Sequence, residues 1–175
     1  VLFVSLGCDK NLADSEEMLG LLVAHGYTIT NDETKADVAV VNTCAFIHDA
    51  KEESIANILE MARYKEEGTL KVLAVTGCLA QRYKEEIIKE IPEVDVVLGT
   101  TSFDDLLKAL DQAFEGEKYL EFKDISAMPE IESKRMITTG GHFEYLKIAE
   151  GCDKHCTYCI IPKLRGKYRS VPMEK

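Results

Sequence analysis

Six cysteines stand in two groups of three, and their spacing is the part of this sequence best suited to chemistry. Cys152, Cys156 and Cys159 read C-x3-C-x2-C, so a single short loop can wrap three thiolates around one metal centre. No fourth cysteine is near. A structural 4Fe–4S cluster normally uses four, and three leave one iron open, as catalytic metal sites keep a position free. Zinc is a weaker reading, because zinc knuckles favour C-x2-C pairs with a fourth ligand, and His155 lies awkwardly between Cys152 and Cys156. Tyr158, directly before Cys159, is placed to pack against a planar ligand or to cover the site. The other three cysteines are far apart but share a context: Cys8 follows Val4-Ser5-Leu6-Gly7, Cys44 follows Val40-Val41-Asn42-Thr43, and Cys78 follows Val75-Thr76-Gly77. Each comes just after a β-rich run, and the small residues Gly7, Thr43 and Gly77 allow close backbone approach. Three buried structural cysteines, a zinc site with His25 or His48, and an iron–sulfur cluster with one open iron all remain readings of this set.

The elements that must position these thiols follow from hydrophobic periodicity. Short, nearly all-apolar runs at 1–6, 36–41, 71–75 and 94–98, with a weaker one at 27–30, are expected for strands buried on both faces of a parallel sheet. Between them, Ser15, Met18, Leu19 and Leu22 share one helical face. So do Ile55, Ile58, Leu59 and Ala62, and later Phe103, Leu106, Leu107, Leu110 and Phe114. Ser15 and Ser102 are expected N-caps, and Pro92 ends a helix running to Ile91. Strand and helix in alternation predict an α/β fold with a doubly wound, mostly parallel sheet flanked by helices over residues 1–116. In such sheets ligands bind outside the carboxyl ends of the strands, where Cys8, Cys44 and Cys78 fall. Residues 117–141, with Pro129, Gly140 and Gly141, read as a linker. A strand is expected at 142–148, running into the second cysteine loop, so that residues 142–175 open a second, incomplete domain.

Composition narrows the class. Of 175 residues, 46% are hydrophobic and 30% charged, an ordinary globular balance. The net charge of −10 argues against a free-standing nucleic-acid binder. No apolar run reaches the length a membrane helix needs, and residues 1–7 lack the charged region and cleavage site of a signal peptide. The expectation is a cytoplasmic protein with reduced thiols, in which clustered cysteines mean metal or redox chemistry. The first residue, Val1, lies inside an expected strand, so a short preceding piece is anticipated.

The second cysteine set carries a resemblance. C-x3-C-x-aromatic-C, here Cys152 to Cys159 with Tyr158, is similar to the motif of radical S-adenosylmethionine enzymes. With Ser5-Leu6-Gly7-Cys8-Asp9-Lys10-Asn11, Val41-Asn42-Thr43-Cys44, Val75-Thr76-Gly77-Cys78 and Glu150-Gly151-Cys152 ahead of or within it, the chain resembles the methylthiotransferases over essentially its whole length. The resemblance implies two 4Fe–4S clusters and S-adenosylmethionine (SAM). Cys152, Cys156 and Cys159 would hold the cluster that binds SAM and cleaves it to a 5′-deoxyadenosyl radical. Cys8, Cys44 and Cys78 would hold the auxiliary cluster bearing the sulfur to be transferred. Tyr158 matches a position near SAM, and Asn11 a residue near the auxiliary cluster; no catalytic side chain is implied beyond the clusters themselves. An electron donor such as flavodoxin or ferredoxin is implied, together with the start of a radical SAM β/α partial barrel. The 175 residues alone are expected to be inactive, since a complete barrel needs 200 or more.

Two substrates are candidates within that family: an aspartate of a small-subunit ribosomal protein, the twelfth of that subunit, and an isopentenyl-adenosine beside a tRNA anticodon. Ser-Leu-Gly-Cys-x-Lys-Asn at 5–11 and Cys44-Ala45-Phe46-Ile47 resemble the ribosomal-protein branch, although Asp9 stands where many of its members have proline and Cys152-Asp153-Lys154 is common to both. Residues 1–150 hold 15 Lys and Arg against 29 Asp and Glu, whereas 151–175 hold six against two. An acidic domain suits a basic ribosomal protein better than RNA, unless these charges are only solvated helix faces. Lys163, Arg165, Lys167 and Arg169 are read in the same way, as surface charges or as part of a binding site. A non-enzymatic iron–sulfur or zinc module is the alternative from another class.

Overall fold

The structure is a computed structural model that describes residues 1–128 and 134–173, so Pro129 of the expected linker lies outside the described residues. Five parallel strands, β1 (Leu2–Ser5), β2 (Val38–Thr43), β3 (Val72–Gly77), β4 (Val96–Leu98) and β5 (Tyr119–Glu121), form one sheet in that spatial order. The connecting helices are α1 (Asp9–Ala24), α2 (His48–Glu66), α3 (Cys78–Tyr83), α4 (Glu85–Glu90) and α5 (Leu106–Phe114). β2 and β3 are buried along their full length, apolar from Val38 to Val41 and from Val72 to Val75, with polar residues only at their carboxyl ends.

Alternate strand residues face opposite cores. Ala39, Val41, Leu73, Val75 and Val97 pack with Ile58, Met61, Leu79 and Ile87 of α2, α3 and α4. Val38, Val40, Val72, Ala74, Val96 and Leu98 pack with Met18 and Leu22 of α1 and with Phe103, Leu106 and Leu110 at α5. Helices therefore cover both faces of a parallel sheet, as the periodicity predicts. The weak 27–30 run contributes a single parallel bridge, Thr30 to Leu2, on the outer side of β1. The chain thus leaves β1 toward that edge and returns to β2 on the other side. This reversal is a topological switch point, and the loops after β1 and β2, which carry Cys8 and Cys44, flank it.

Several expectations are corrected. Ser15 is not an N-cap, because α1 begins six residues earlier; its hydroxyl bonds back to Asn11 O at 2.9 Å, as mid-helix serines do. Ser102 precedes a 3-10 turn at Phe103–Asp105 but makes no side-chain cap; its Oγ accepts from Lys123 N at 2.8 Å. The sheet extends past residue 116 to β5, whose three residues carry too little periodicity to read. Among the described residues, 142–148 form no strand; regular pairing begins only at Ala149, with Ile148 O accepting from Val171 N at 2.9 Å just ahead of it. They are irregular, with Leu146 81% exposed and Lys147 turned inward. β6 (Ala149–Glu150) pairs antiparallel with β7 (Arg169–Ser170), and a one-turn helix, α6 (Ile161–Arg165), lies between them in sequence. Among the described residues no helix is long and apolar enough to cross a membrane.

Residues 136–138 dock on α1. Met136 N donates to Glu16 O at 2.9 Å, and Thr138 N and Oγ1 donate to the Glu16 carboxylate at 2.6 and 2.8 Å. Glu16 is fully buried.

Candidate metal centre

β2 and β3 are in register at their carboxyl ends, with Thr43 opposite Gly77, so Cys44 and Cys78 leave the sheet side by side. Ser5 pairs with Asn42, which brings the loop after β1 to the same level. Gly7 has φ +95°, and a Cβ there would lie 2.7 Å from Cys44 Cβ and 2.9 Å from its Sγ. Gly77 has φ +88°, and its Cβ would lie 2.5 Å from Thr43 O. The three cysteine loops are thus in direct contact, and only glycine fits at two of the junctions. Cys44 and Cys78 are buried, and Cys8 is exposed at the N-terminus of α1. Among the described residues, no three His, Cys, Asp or Glu side chains already form a ready cage for a metal ion. Three soft thiol donors on one shared edge have the chemistry to hold a soft-metal group such as an iron–sulfur cluster.

Polar residues fix these loops. Ser54 of α2 pins Cys44 by both backbone groups, accepting from its N at 3.0 Å and donating to its O at 2.9 Å. Thr43 Oγ1 donates to Thr76 O at 2.5 Å and accepts from Leu79 N at 3.2 Å, locking the loop of Cys44 to that of Cys78. The Asn11 amide donates to Leu6 O at 2.7 Å and to Thr43 O at 3.0 Å, which staples the loop of Cys8 to that of Cys44. Ser54 escaped sequence reasoning, since a lone serine in a helix gives no signal of what it will face.

The second set lies on the loop between β6 and α6. Cys152 N donates to Gly166 O at 3.0 Å and Cys159 N to Cys156 O at 3.0 Å, so the loop closes on itself and on the end of α6. Cys156 is exposed, and Cys152 and Cys159 are half-buried. Tyr158 is 90% exposed and covers none of the three. His155 is exposed. His25 bonds its own helix at Leu21 O, and His48 starts α2 beside Glu52; neither is grouped with thiols.

A buried charge network joins the two segments. Arg165 of α6, only 5% exposed and so not the surface charge its neighbours in sequence suggest, donates to Asp14 at 2.6 Å, Glu150 at 3.2 Å and Asn11 Oδ1 at 2.5 Å. Lys147 also reaches Asp14, and Lys10 bonds Ala149 O at 3.0 Å. Lys163 and Lys167 are exposed, while Arg169 holds the carbonyls of Ala127, Arg165 and Lys167. Burial pushes the Cys78 thiol up, against the pull of the nearby Arg165 guanidinium. Burial also works to raise the Asp14 carboxyl, but Arg165 and Lys147 outweigh it and hold the group below its ordinary value.

The family described as "Uncharacterized protein family UPF0004" matches residues 1–99, which include Cys8, Cys44 and Cys78. The chain belongs to this family. Similar curated proteins extend the likeness through the second cysteine set. One named ribosomal protein uS12 methylthiotransferase RimO, from Lachnoclostridium phytofermentans, is 64% identical over 100% of this chain and 40% of its own length. Proteins of the same name from Desulforamulus reducens and Clostridioides difficile are each 51% identical, over 98% and 97% of this chain and 39% and 38% of their own. The chain therefore spans about 40% of the length of the curated relatives it matches.

In this UPF0004 member the Asp14 ion pairs carry an acid signature. A carboxyl held low in the folded state contributes stability above its unfolded pKa of about 4, and that contribution is lost as pH falls through the lower folded value. Urea midpoints measured from pH 7 to pH 3 are expected to fall less steeply below about pH 4 in Asp14→Asn than in the parent. Parallel curves would show that Asp14 is not the group responsible.

Proposed function

We propose that the chain is part of a radical SAM methylthiotransferase that places a methylthio group on the β-carbon of an aspartate in small-subunit ribosomal protein uS12. The observation that carries this reading is the register of Thr43 with Gly77 and the seating of Gly7 against Cys44, which bring three distant thiols to one sheet edge. Support for the substrate comes from relatives up to 64% identical that are named for uS12. On this reading Cys8, Cys44 and Cys78 hold one 4Fe–4S cluster, and Cys152, Cys156 and Cys159 hold the other. When bound, the clusters supply electron transfer to SAM and a sulfur ready for transfer; the protein's part is positioning. Asn11, Thr43 and Ser54 hold the auxiliary loops, and Gly7 and Gly77 give them room. The 152–159 loop closes onto Gly166, its three thiols would hold the SAM-binding cluster on this reading, and the exposed Tyr158 ring is free to meet SAM. A flavodoxin- or ferredoxin-like donor supplies electrons, and the enzyme acts in the cytoplasm, where its thiols stay reduced. Residues 1–121 are taken as the auxiliary-cluster domain and 142–175 as the opening of the SAM domain.

The test is the full-length protein, reconstituted anaerobically and offered uS12 and, separately, tRNA. Mass spectrometry is expected to find a methylthio group on one aspartate of uS12. Modification of tRNA alone would overturn the substrate, and reconstitution with zinc but no sulfide would overturn the reaction class.

A further inference from the structure

We infer that Arg165 is a positioning residue for the three-thiol site, donated by the segment that carries the other three cysteines. The inference rests on the reading of Cys8, Cys44 and Cys78 as a cluster site. Its guanidinium reaches in two directions. Toward the first set it donates to Asn11 Oδ1 at 2.5 Å, and the same amide uses its nitrogen to hold Leu6 O and Thr43 O, the carbonyls just ahead of Gly7-Cys8 and of Cys44. With Oδ1 held by Arg165, the amide cannot flip, so the staple between the two loops depends on a residue more than 150 positions away in sequence. Toward the second set Arg165 donates to Glu150, two residues before Cys152, and it sits six residues after Cys159. α6 itself packs on α3, whose first residue is Cys78, and Leu164 O accepts from Thr100 Oγ1 at 2.7 Å.

The charge is suited to that place. Thiolates gathered at a buried edge need a nearby cation to offset their desolvation, and Arg165 is a fixed positive charge at that edge. Lys147, the other buried cation of the network, is placed over the ring of Phe103 and bonded to Asp14. Lysine at 165 would keep the charge but could not span Asp14 and Asn11 with one planar fork.

The experiment uses the full-length protein with Cys152, Cys156 and Cys159 changed to alanine, so that only the Cys8, Cys44 and Cys78 site can hold iron and sulfide. Reduction potential is followed by electron paramagnetic resonance, and iron retention by challenge with a chelator. Arg165→Gln is expected to lower the midpoint potential and to speed iron loss several-fold, because it removes a positive charge beside the cluster and frees Asn11. Lys163→Gln, the same charge change on an exposed residue of α6, is expected to match the parent. A parent-like potential in Arg165→Gln overturns the inference. If that variant does not fold, Arg165→Lys decides: faster iron loss from a folded protein supports the inference, and parent-like retention overturns it. A parent that takes up no iron and sulfide at these cysteines removes the cluster reading itself, and this inference with it.

Discussion

Replacing Cys8, Cys44 and Cys78 together by alanine is expected to halve the iron and sulfide of the full-length protein and abolish sulfur transfer while leaving SAM cleavage in place. The parent should hold about eight irons and eight sulfides per chain, and the variant about four of each. The division follows from the architecture. The first three thiols leave the sheet from three parallel strands, whereas the second three occupy one closed loop between β6 and α6, so losing one set does not remove the ligands of the other. Iron and acid-labile sulfide analysis reads the first half of the prediction, and 5′-deoxyadenosine release against methylthiolated product reads the second. Parent-level iron in the triple variant would defeat the two-cluster reading.

Gly77→Ala is expected to be the most damaging single methyl in the sheet. At φ +88° and ψ −155° the backbone occupies a region essentially reserved for glycine, and the added Cβ would lie 2.3 Å from Asn42 Oδ1 and 2.5 Å from Thr43 O. Strain and overpacking together are expected to cost about 2–5 kcal/mol. Backbone is the obstacle, so relief requires β2 and β3 to part where Cys44 and Cys78 emerge. Urea unfolding should show the loss of stability, and iron uptake at the first site should fall with it. Gly116→Ala is the matched control: its φ is also positive, at +87°, but nothing lies within 4 Å of the added carbon, so it should lose only about 1–2 kcal/mol. Equal losses in the two variants would show that the packing at Gly77 does not matter.

Much of this was legible in the text. A strand buried on both faces is apolar along most of its length, which marks β2 and β3, and a helix covering a sheet must repeat its apolar residues with a period near 3.6, which marks α1, α2 and α5. Shared context after three strands then places Cys8, Cys44 and Cys78 at one edge without any knowledge of contacts. The short or irregular pieces were not legible. β5 has three residues, and its pairing with β4 is decided by backbone hydrogen bonds that any side chains permit. Residues 142–148 read as a strand but enter no ladder among the described residues, because pairing is a property of the fold.

The sequence by itself determined the fold class, the strand edge and the two sets of three thiols, because periodicity and spacing are local. Only the tertiary structure decided what holds the edge together. Ser54 on Cys44, Asn11 between two loops, and Arg165 on Asn11, Asp14 and Glu150 join residues from 5 to 154 positions apart. An arginine in a basic stretch reads as a solvated charge, and it becomes a buried one only because two carboxylates and an amide from elsewhere are folded around it. Burial, not residue type, fixes the role of a charge, and burial is known only once the chain is packed.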